Sequence, residues 1–357
     1  MRDFIIIGGG IAGISAAAEL SKIGTVTVLE AEGALAHHAS GRSAALYEPH
    51  YGLPPIVALS LASGDELRAK DGILSPRGMM VLAGAHERAA FEKEREGFNL
   101  DDLTIEEARA RFPILNPDRV AYAAAADHAW DIDTDLLIQG YLKEARARGA
   151  EVLPKARAAA IDRLPGGWHV ATAQGDHEGR ILVNASGAWV DEVAKLAGMA
   201  PLGFTPMRRS MARIPAPGGL DPARWPMVFG VGESWYCKPD AGALIVSPAE
   251  EHPADPHDAW ADDMVLAEGL ARFEEKVTEP VTRLIASWAG LRTFSPDRVP
   301  VIGFAPSDPG FFWLAGQGGY GFQSAPGVSR LVGDLVAGRA PAIGADVVAA
   351  VTPARFQ

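Results

Sequence analysis

The chain has 357 residues, with 33 Lys+Arg against 45 Asp+Glu (net charge −12), 48% hydrophobic and 22% charged residues. That length is too great for one compact core and suits two domains around a crevice, and the composition excludes disorder as the main theme. The acidic balance argues against nucleic acid as the main partner, and the single cysteine, Cys237, excludes an intrachain disulfide or a cysteine-based zinc cluster.

In chain order, Phe4 to Ile7 reads as a short buried parallel strand. No signal peptide precedes it, and no stretch approaches the ~20 apolar residues of a membrane span, so a soluble cytoplasmic protein is expected. The strand runs into Gly8-Gly9-Gly10-Ile11-Ala12-Gly13, which fits G-x-G-x-x-G, and a helical pattern follows through Leu20. Gly24 ends it, and Val26 to Glu30 reads as a second strand. Gly8 allows the tight turn, Gly10 the approach of a pyrophosphate, and Gly13 close helix–strand packing. The helix N-terminus offers N–H groups and a positive dipole end. Glu30 can accept from a ribose 2′-OH and would repel a 2′-phosphate, which points to FAD or NAD rather than NADP.

Further along, Glu87 to Glu96 predicts a solvated helix, and Thr104 with Glu107 a capping box. Ile181 to Trp189 reads as a strand entering a turn of small residues. His252, Asp255, His257 and Asp258 look like metal ligands on paper, but their Pro-rich loop reads as the lead-in to a helix through Met264, Leu266 and Phe273, and no metal site is expected. Near the C-terminus, Phe311 to Ala315 predicts a strand that meets Gly316-Gln317-Gly318-Gly319-Tyr320-Gly321-Phe322 and a helix from about Ser324 to Leu335. This second glycine-rich strand-to-helix junction favours FAD over NAD, because its helix dipole can stabilise negative charge on a reduced flavin by ~0.3–1 kcal/mol.

The stretches Gly41-Arg42-Ser43-Ala44-Ala45, Asp131 to Asp135, Leu182 to Ala185, Trp235 to Gly242, Trp288 to Arg292 and Gln317 to Gly321 resemble the D-amino acid oxidase / glycine oxidase superfamily, closest to the bacterial D-arginine dehydrogenase type. The resemblance implies an α/β fold: a Rossmann-like FAD-binding domain with a second α+β substrate domain on a mostly antiparallel sheet. The expected division is residues 1–75, 134–202 and 286–357 for FAD, and 76–133 and 203–285 for substrate. FAD is expected to be noncovalent, with Cys237 a packing residue. The cofactor contacts are placed at Gly8, Gly10, Ile11, Ala12, Gly13, Glu30 and Ala31; at Ser40, Arg42, Ser43, Ala44 and Ala45; at Ala185, Gly187, Trp189 and Gly290; and at Gly318, Gly319, Tyr320, Gly321, Phe322 and Gln323.

For the substrate, the resemblance points to Arg209 and Arg292 as guanidinium forks for a carboxylate, with Tyr51 and Tyr236 supplying hydroxyl groups. Alternatives stay open: Arg208-Arg209 as a solvated pair, Arg292 as the ion partner of Asp297, and the tyrosines as ordinary core residues. The pocket is expected to include Leu46, Glu48, His50, Met79, Met227, Phe229, Gly319 and Gln323, with residues 46–54 forming part of a lid. Leu46 and Met79 stand where the D-arginine type carries a histidine and a glutamate, so apolar D-amino acids are expected to be better substrates than D-Arg or D-Lys, unless Glu48 points inward. The expected reaction is hydride transfer from Cα to flavin N5 without a protein base, giving an imino acid that hydrolyses to a 2-oxo acid. The electrons would pass to a quinone, another carrier or O2. A secondary-amine oxidase and a non-catalytic flavin-binding protein are the alternatives.

Overall fold

The computed structural model describes residues 1–356. Its first sheet has eight strands. Arg2–Ile7 lies at the centre, parallel to Val26–Leu29 on one side and to the end of Gly175–Asn184 on the other. Glu151–Leu153 and Asp308–Ala315 extend the parallel part, while Ala158–Leu164, Gly167–Thr172 and Val301–Ala305 pair antiparallel. The period-2 alternation of a strand divides its side chains between two cores. Phe4 and Ile6 join Ile14, Leu20, Leu137 and Leu331 under the helices Ile11–Leu20, Thr134–Ala147 and Gly321–Val336. Ile5 and Ile7 face Trp168, Phe311 and Trp313 on the other side.

The second sheet has nine strands and is antiparallel except where Met227–Gly230 runs parallel to Met79–Ala83. Alternation again sorts the residues. Met80, Leu82, Val228 and Cys237 pack with Phe273 of the helix Asp263–Glu275. Met79, Val81, Phe229 and Tyr236 emerge on the opposite face. Cys237 is 1% exposed inside that first core, so the packing role read from its neighbours matches its position. A third, three-stranded sheet joins Leu46–Tyr47, Trp130–Ile132 and Leu74–Pro76.

Helix starts follow local chemistry. Thr104 and Glu107 form a reciprocal capping box, Asp133 accepts from the Leu136 N–H, and Asp262 accepts from the Met264 and Val265 N–H groups. The pairing departs from the expected division of the chain at one strand. Ala286–Phe294, read as part of the nucleotide-binding unit, pairs along its length with Thr205–Pro215 in the second sheet. The cuts at 75/76 and 133/134 also run along the small sheet, whose strands come from both sides of them. Hydrogen-bond registry over nine residue pairs outweighs the sequence proximity of residue 286 to the C-terminal junction.

A Cβ at Gly13 would lie 1.9 Å from the Gly8 carbonyl oxygen, whereas one at Gly140 would meet nothing within 4 Å. Gly13→Val is therefore expected to destabilise by ~3 kcal/mol or more through overpacking. Gly140→Ala, within a helix, is expected to be neutral or stabilising by up to ~1 kcal/mol. Thermal midpoints of the two variants check the contrast.

Candidate active site

Three cavities share their walls and form one trough running between the two large sheets. The widest, near 380 Å³, begins where the first strand ends. Gly8 sits at φ +110°, and a Cβ there would be 2.4 Å from the Ala185 carbonyl oxygen. No side chain fits, and the turn opens beneath Gly9 and Gly10. Gly8, Gly10, Glu30, Ala31, Ser40, Ala185, Gly187, Trp189 and Gly290 line this end. Glu30 is 8% exposed; its two oxygens accept from the Gly9 N–H (2.6 Å) and the Glu32 N–H (2.7 Å). A carboxylate has further lone pairs, so the fixed Glu30 can also accept from a ribose hydroxyl.

Two expected contacts act on the protein instead. Gly13 does not line the trough and serves helix packing. The Arg42 guanidinium lines it, but its donors go to the carbonyls of Ala259 (2.8 Å), Ala289 (2.9 Å) and His37 (3.2 Å) and to Asp258. Arg42 thus shapes the wall by tying residues 39–42 to the Ala286–Phe294 strand. Ser40 Oγ accepts the Ile11 N–H at 3.0 Å, satisfying the first amide of the helix. Asp258 is taken by Arg42, and the His257 Nδ1 faces the Asp255 carbonyl at 2.7 Å, so the Pro-rich loop directs these groups apart. A different set, Glu32, His37 and His38, gathers at the mouth of the nucleotide end, with His38 also packed on Trp189 at 4.6 Å.

The trough narrows between Ile11, Ala12, Ser43, Ala44, Gly290 and the second glycine-rich junction, where Gly318, Gly319, Gly321 and Phe322 form the wall. Tyr320 does not line it; its ring packs 5.0 Å from Tyr51. The corridor's glycine walls at both helix N-termini would suit an extended dinucleotide.

That far end is a compact cavity of about 90 Å³. Strand register creates it. Arg209 lies opposite Gly290, and Arg292 lies opposite Met207, so the two arginines are diagonal neighbours on one face of an antiparallel pair. Gly319 gives Arg292 room, since a Cβ there would lie 2.9 Å from its Nη1. Burial opposes the Arg292 charge, but nearby Tyr236, Tyr51, Glu233 and Glu251 outweigh it and hold the guanidinium firmly protonated. Arg209 is 3% exposed. Its Nη2 donates to Glu251 at 3.2 Å, and its Nη1 lies 3.8 Å from Glu233, while Nε and Nη1 have no hydrogen-bond partner. The proposed Arg292–Asp297 pair does not form, because Arg355 takes Asp297 at 2.7 Å. The solvated-pair alternative for Arg209 is likewise set aside by its burial.

Tyr51 donates to Glu233 Oε2 at 3.0 Å, and burial followed by the Glu233 charge pushes its phenol well above the usual range. Tyr236 is 4% exposed, and its hydroxyl meets the Met211 sulfur at 3.3 Å. Leu46, Met79, Met227 and Phe229 form an apolar wall, with Ala45, Gly319 and Gln323 completing the lining. Glu48 points inward: it is 2% exposed and lines this cavity. His50 points outward, correcting its expected place in the pocket.

Sequence reasoning missed Glu233, Phe98 and Trp235 on the cavity wall, Glu251 behind Arg209, and His128 beside Glu48. Glu233 carried one local signal. It lies three residues before Tyr236 in a turn that puts its own backbone at φ +51°. Trp235 adjoins Tyr236 in the Trp235–Gly242 stretch, whereas Phe98, Glu251 and His128 come from distant segments with no pattern linking them to the site.

Residues 3–335 match the profile of the DAO family, described as FAD dependent oxidoreductase. The chain is 26% identical to FAD-dependent oxidoreductase domain-containing protein 1 of Bos taurus, over 94% of this chain and 81% of that protein. It is 27% identical to glycine oxidase of Pseudomonas aeruginosa, over 95% and 96%. The crystal structure of glycine oxidase from Geobacillus kaustophilus superposes with a TM-score of 0.83 at 24% identity, covering 98% of both chains. The mixed sheets, the glycine-walled trough and these likenesses agree, and the chain belongs to the DAO family of FAD-dependent oxidoreductases.

Proposed function

We propose that this protein oxidises D-amino acids at the Cα–N bond, giving imino acids that hydrolyse to 2-oxo acids and ammonia. The observation that carries this reading is the convergence of two buried guanidinium groups, Arg209 and Arg292, with Tyr51 at the cofactor's far end. Such an arrangement suits a carboxylate, which arginine binds in a bidentate, planar geometry. Bound FAD supplies the hydride acceptor. The protein's part is orientation: fixing the carboxylate turns the Cα–H toward the acceptor. The Tyr51–Glu233 hydrogen bond holds the 48–53 segment over the cavity, consistent with a lid.

The D configuration rests on the motif resemblance, and the electrons would pass on to a quinone, another carrier or O2. Leu46, Met79, Met227, Phe229 and Phe98 make the side-chain wall apolar, and the inward Glu48 is engaged by the His50 N–H (3.0 Å) and faces His128. This wall favours apolar side chains, and the inward Glu48, whose Oε2 has no hydrogen-bond partner, is the group against which a cationic side chain tests that preference. The small cavity and the likeness to a glycine oxidase support a second reading, oxidation of glycine or a small secondary amine.

Anaerobic mixing with D- and L-amino acids, glycine and sarcosine, followed by flavin absorbance, separates these readings. D-Leu, D-Met or D-Phe is expected to bleach the flavin with kcat/KM at least ~10-fold above D-Arg, since an unpaired buried cation costs several kcal/mol; preference for D-Arg would overturn the pocket assignment. Arg292→Met is expected to lower kcat/KM by ~10–100-fold, the value of a lost charged hydrogen bond of ~1.5–3 kcal/mol, with FAD still bound. Unchanged kinetics in that variant would remove Arg292 from the carboxylate site.

A further inference from the structure

The reading above leaves one chemical requirement unmet. An amino acid near neutral pH carries an ammonium group, and its nitrogen lone pair must be free before the Cα–H can leave as hydride. One N–H proton must therefore leave a pocket whose surface is mostly apolar.

We propose that Glu48 accepts this proton and passes it through His128 to solvent. Glu48 lies in the wall of the same cavity as Arg209 and Arg292 and is 2% exposed. Its position is fixed by the chain itself. It follows directly on the Leu46–Tyr47 strand, its N–H donates to Gln323 Oε1 at 3.3 Å, and its Oε1 accepts the His50 N–H at 3.0 Å. The other oxygen, Oε2, lies 3.1 Å from the Nε2 of His128; the two atoms approach without hydrogen-bond geometry, and both are buried without any hydrogen-bond partner. His128 sits in the turn before the Trp130–Ile132 strand with its side chain 30% exposed, and its ring meets that of the exposed His50 edge-on at 5.9 Å. One carboxylate therefore borders both the pocket and a ring that reaches water.

A buried carboxylate with no cation is costly, and it persists only where something compensates for it. Burial pushes Glu48 up to about 7, while burial and the nearby His50 lower His128. A base titrating near the working pH is suited to proton transfer. The other groups facing this region are His50 on its own loop, Asp127 beside His128, whose charge opposes the lowering of that ring, the non-titrating Gln323 amide on the helix Gly321–Val336, and Tyr51, Glu233, Tyr236, Arg209 and Arg292 across the cavity.

The step balances. The substrate N–H bond breaks, the proton goes to Glu48 and the electron pair stays on nitrogen. With FAD bound, the cofactor would take the Cα–H pair as hydride, the nitrogen pair would close the C=N bond, and the two electrons lost by the substrate would be those the cofactor gains. Glu48 releases its proton through His128 to water.

This inference rests on the amino-acid oxidation proposed above, and its test separates the two. Holoenzyme is mixed anaerobically with its best apolar D-amino acid, and the limiting rate of flavin bleaching is followed across pH. A carboxyl accepts only when ionised, so the wild-type rate should rise with pH through about 7. Glu48→Gln should bleach about 10²-fold more slowly at neutral pH and approach the wild type at alkaline pH, where substrate binds with its amine already free. A purely structural role for Glu48 would not restore the rate there. His128→Asn should slow the neutral-pH rate about tenfold and carries the test if Glu48→Gln fails to hold FAD. Identical pH profiles for the wild type and the variant that tests the step would overturn the inference and leave the oxidation reading intact. A wild-type flavin bleached by no amino acid would remove both.

Discussion

The antiparallel pairing of Thr205–Pro215 with Ala286–Phe294 is the constraint on which the site depends. Nine residue pairs lock its register. A slip of one residue would turn Arg209 and Arg292 to the other face, because side chains alternate with period 2. The same strand pair carries Gly290 to the wide end of the trough and Arg292 to its far end, so both ends are set by a single ladder.

The charges at the far end are held by mutual compensation. Arg209 is buried against Glu251, which also pairs with Arg298 at 2.7 Å, and Glu233 lies between Arg209 and Tyr51. Isolated burial of any one of these ions would be strongly unfavourable. Together they leave Arg209 Nε and Nη1 without hydrogen-bond partners in the protein, the opening on which the proposed carboxylate site rests. A second buried network stiffens the cofactor side. Lys238, 7% exposed, donates to Asp131 at 2.7 Å and to the Ala44 carbonyl, and Asp131 also holds Arg77. This links the second sheet to the loop Ser43–Ala45, where Ala45 adopts φ +46°. The conformation of that loop is thus supported by a fully paired polar chain, which rigidifies a site where a partly paired one would weaken it.

Alternation within strands also explains why neighbouring residues have different fates. Tyr236 faces the cavity while Cys237 is buried under a helix, and Met79 faces it while Met80 does not. Glu48 and His50 share an orientation in sequence but not in space, because the chain has left the strand by residue 48 and period 2 no longer applies.

The sequence by itself determined the nucleotide-binding βαβ unit, the helix start at Thr104 and the second glycine-rich junction, because each is encoded within one short contiguous stretch of chain. The Gly8 turn, the Glu30 acid and the Thr104 capping box need no distant partner to be recognised. It also indicated both arginines, both tyrosines and the apolar wall, through extended motifs. Only the tertiary structure decided that Glu48 faces inward against His128, that Arg42 braces the wall, that Glu233 and Glu251 hold Tyr51 and Arg209, and that Ala286–Phe294 belongs to the second sheet. Those outcomes join residues about 40 to more than 200 positions apart, and they are selected by burial and ion pairing, which local pattern does not carry.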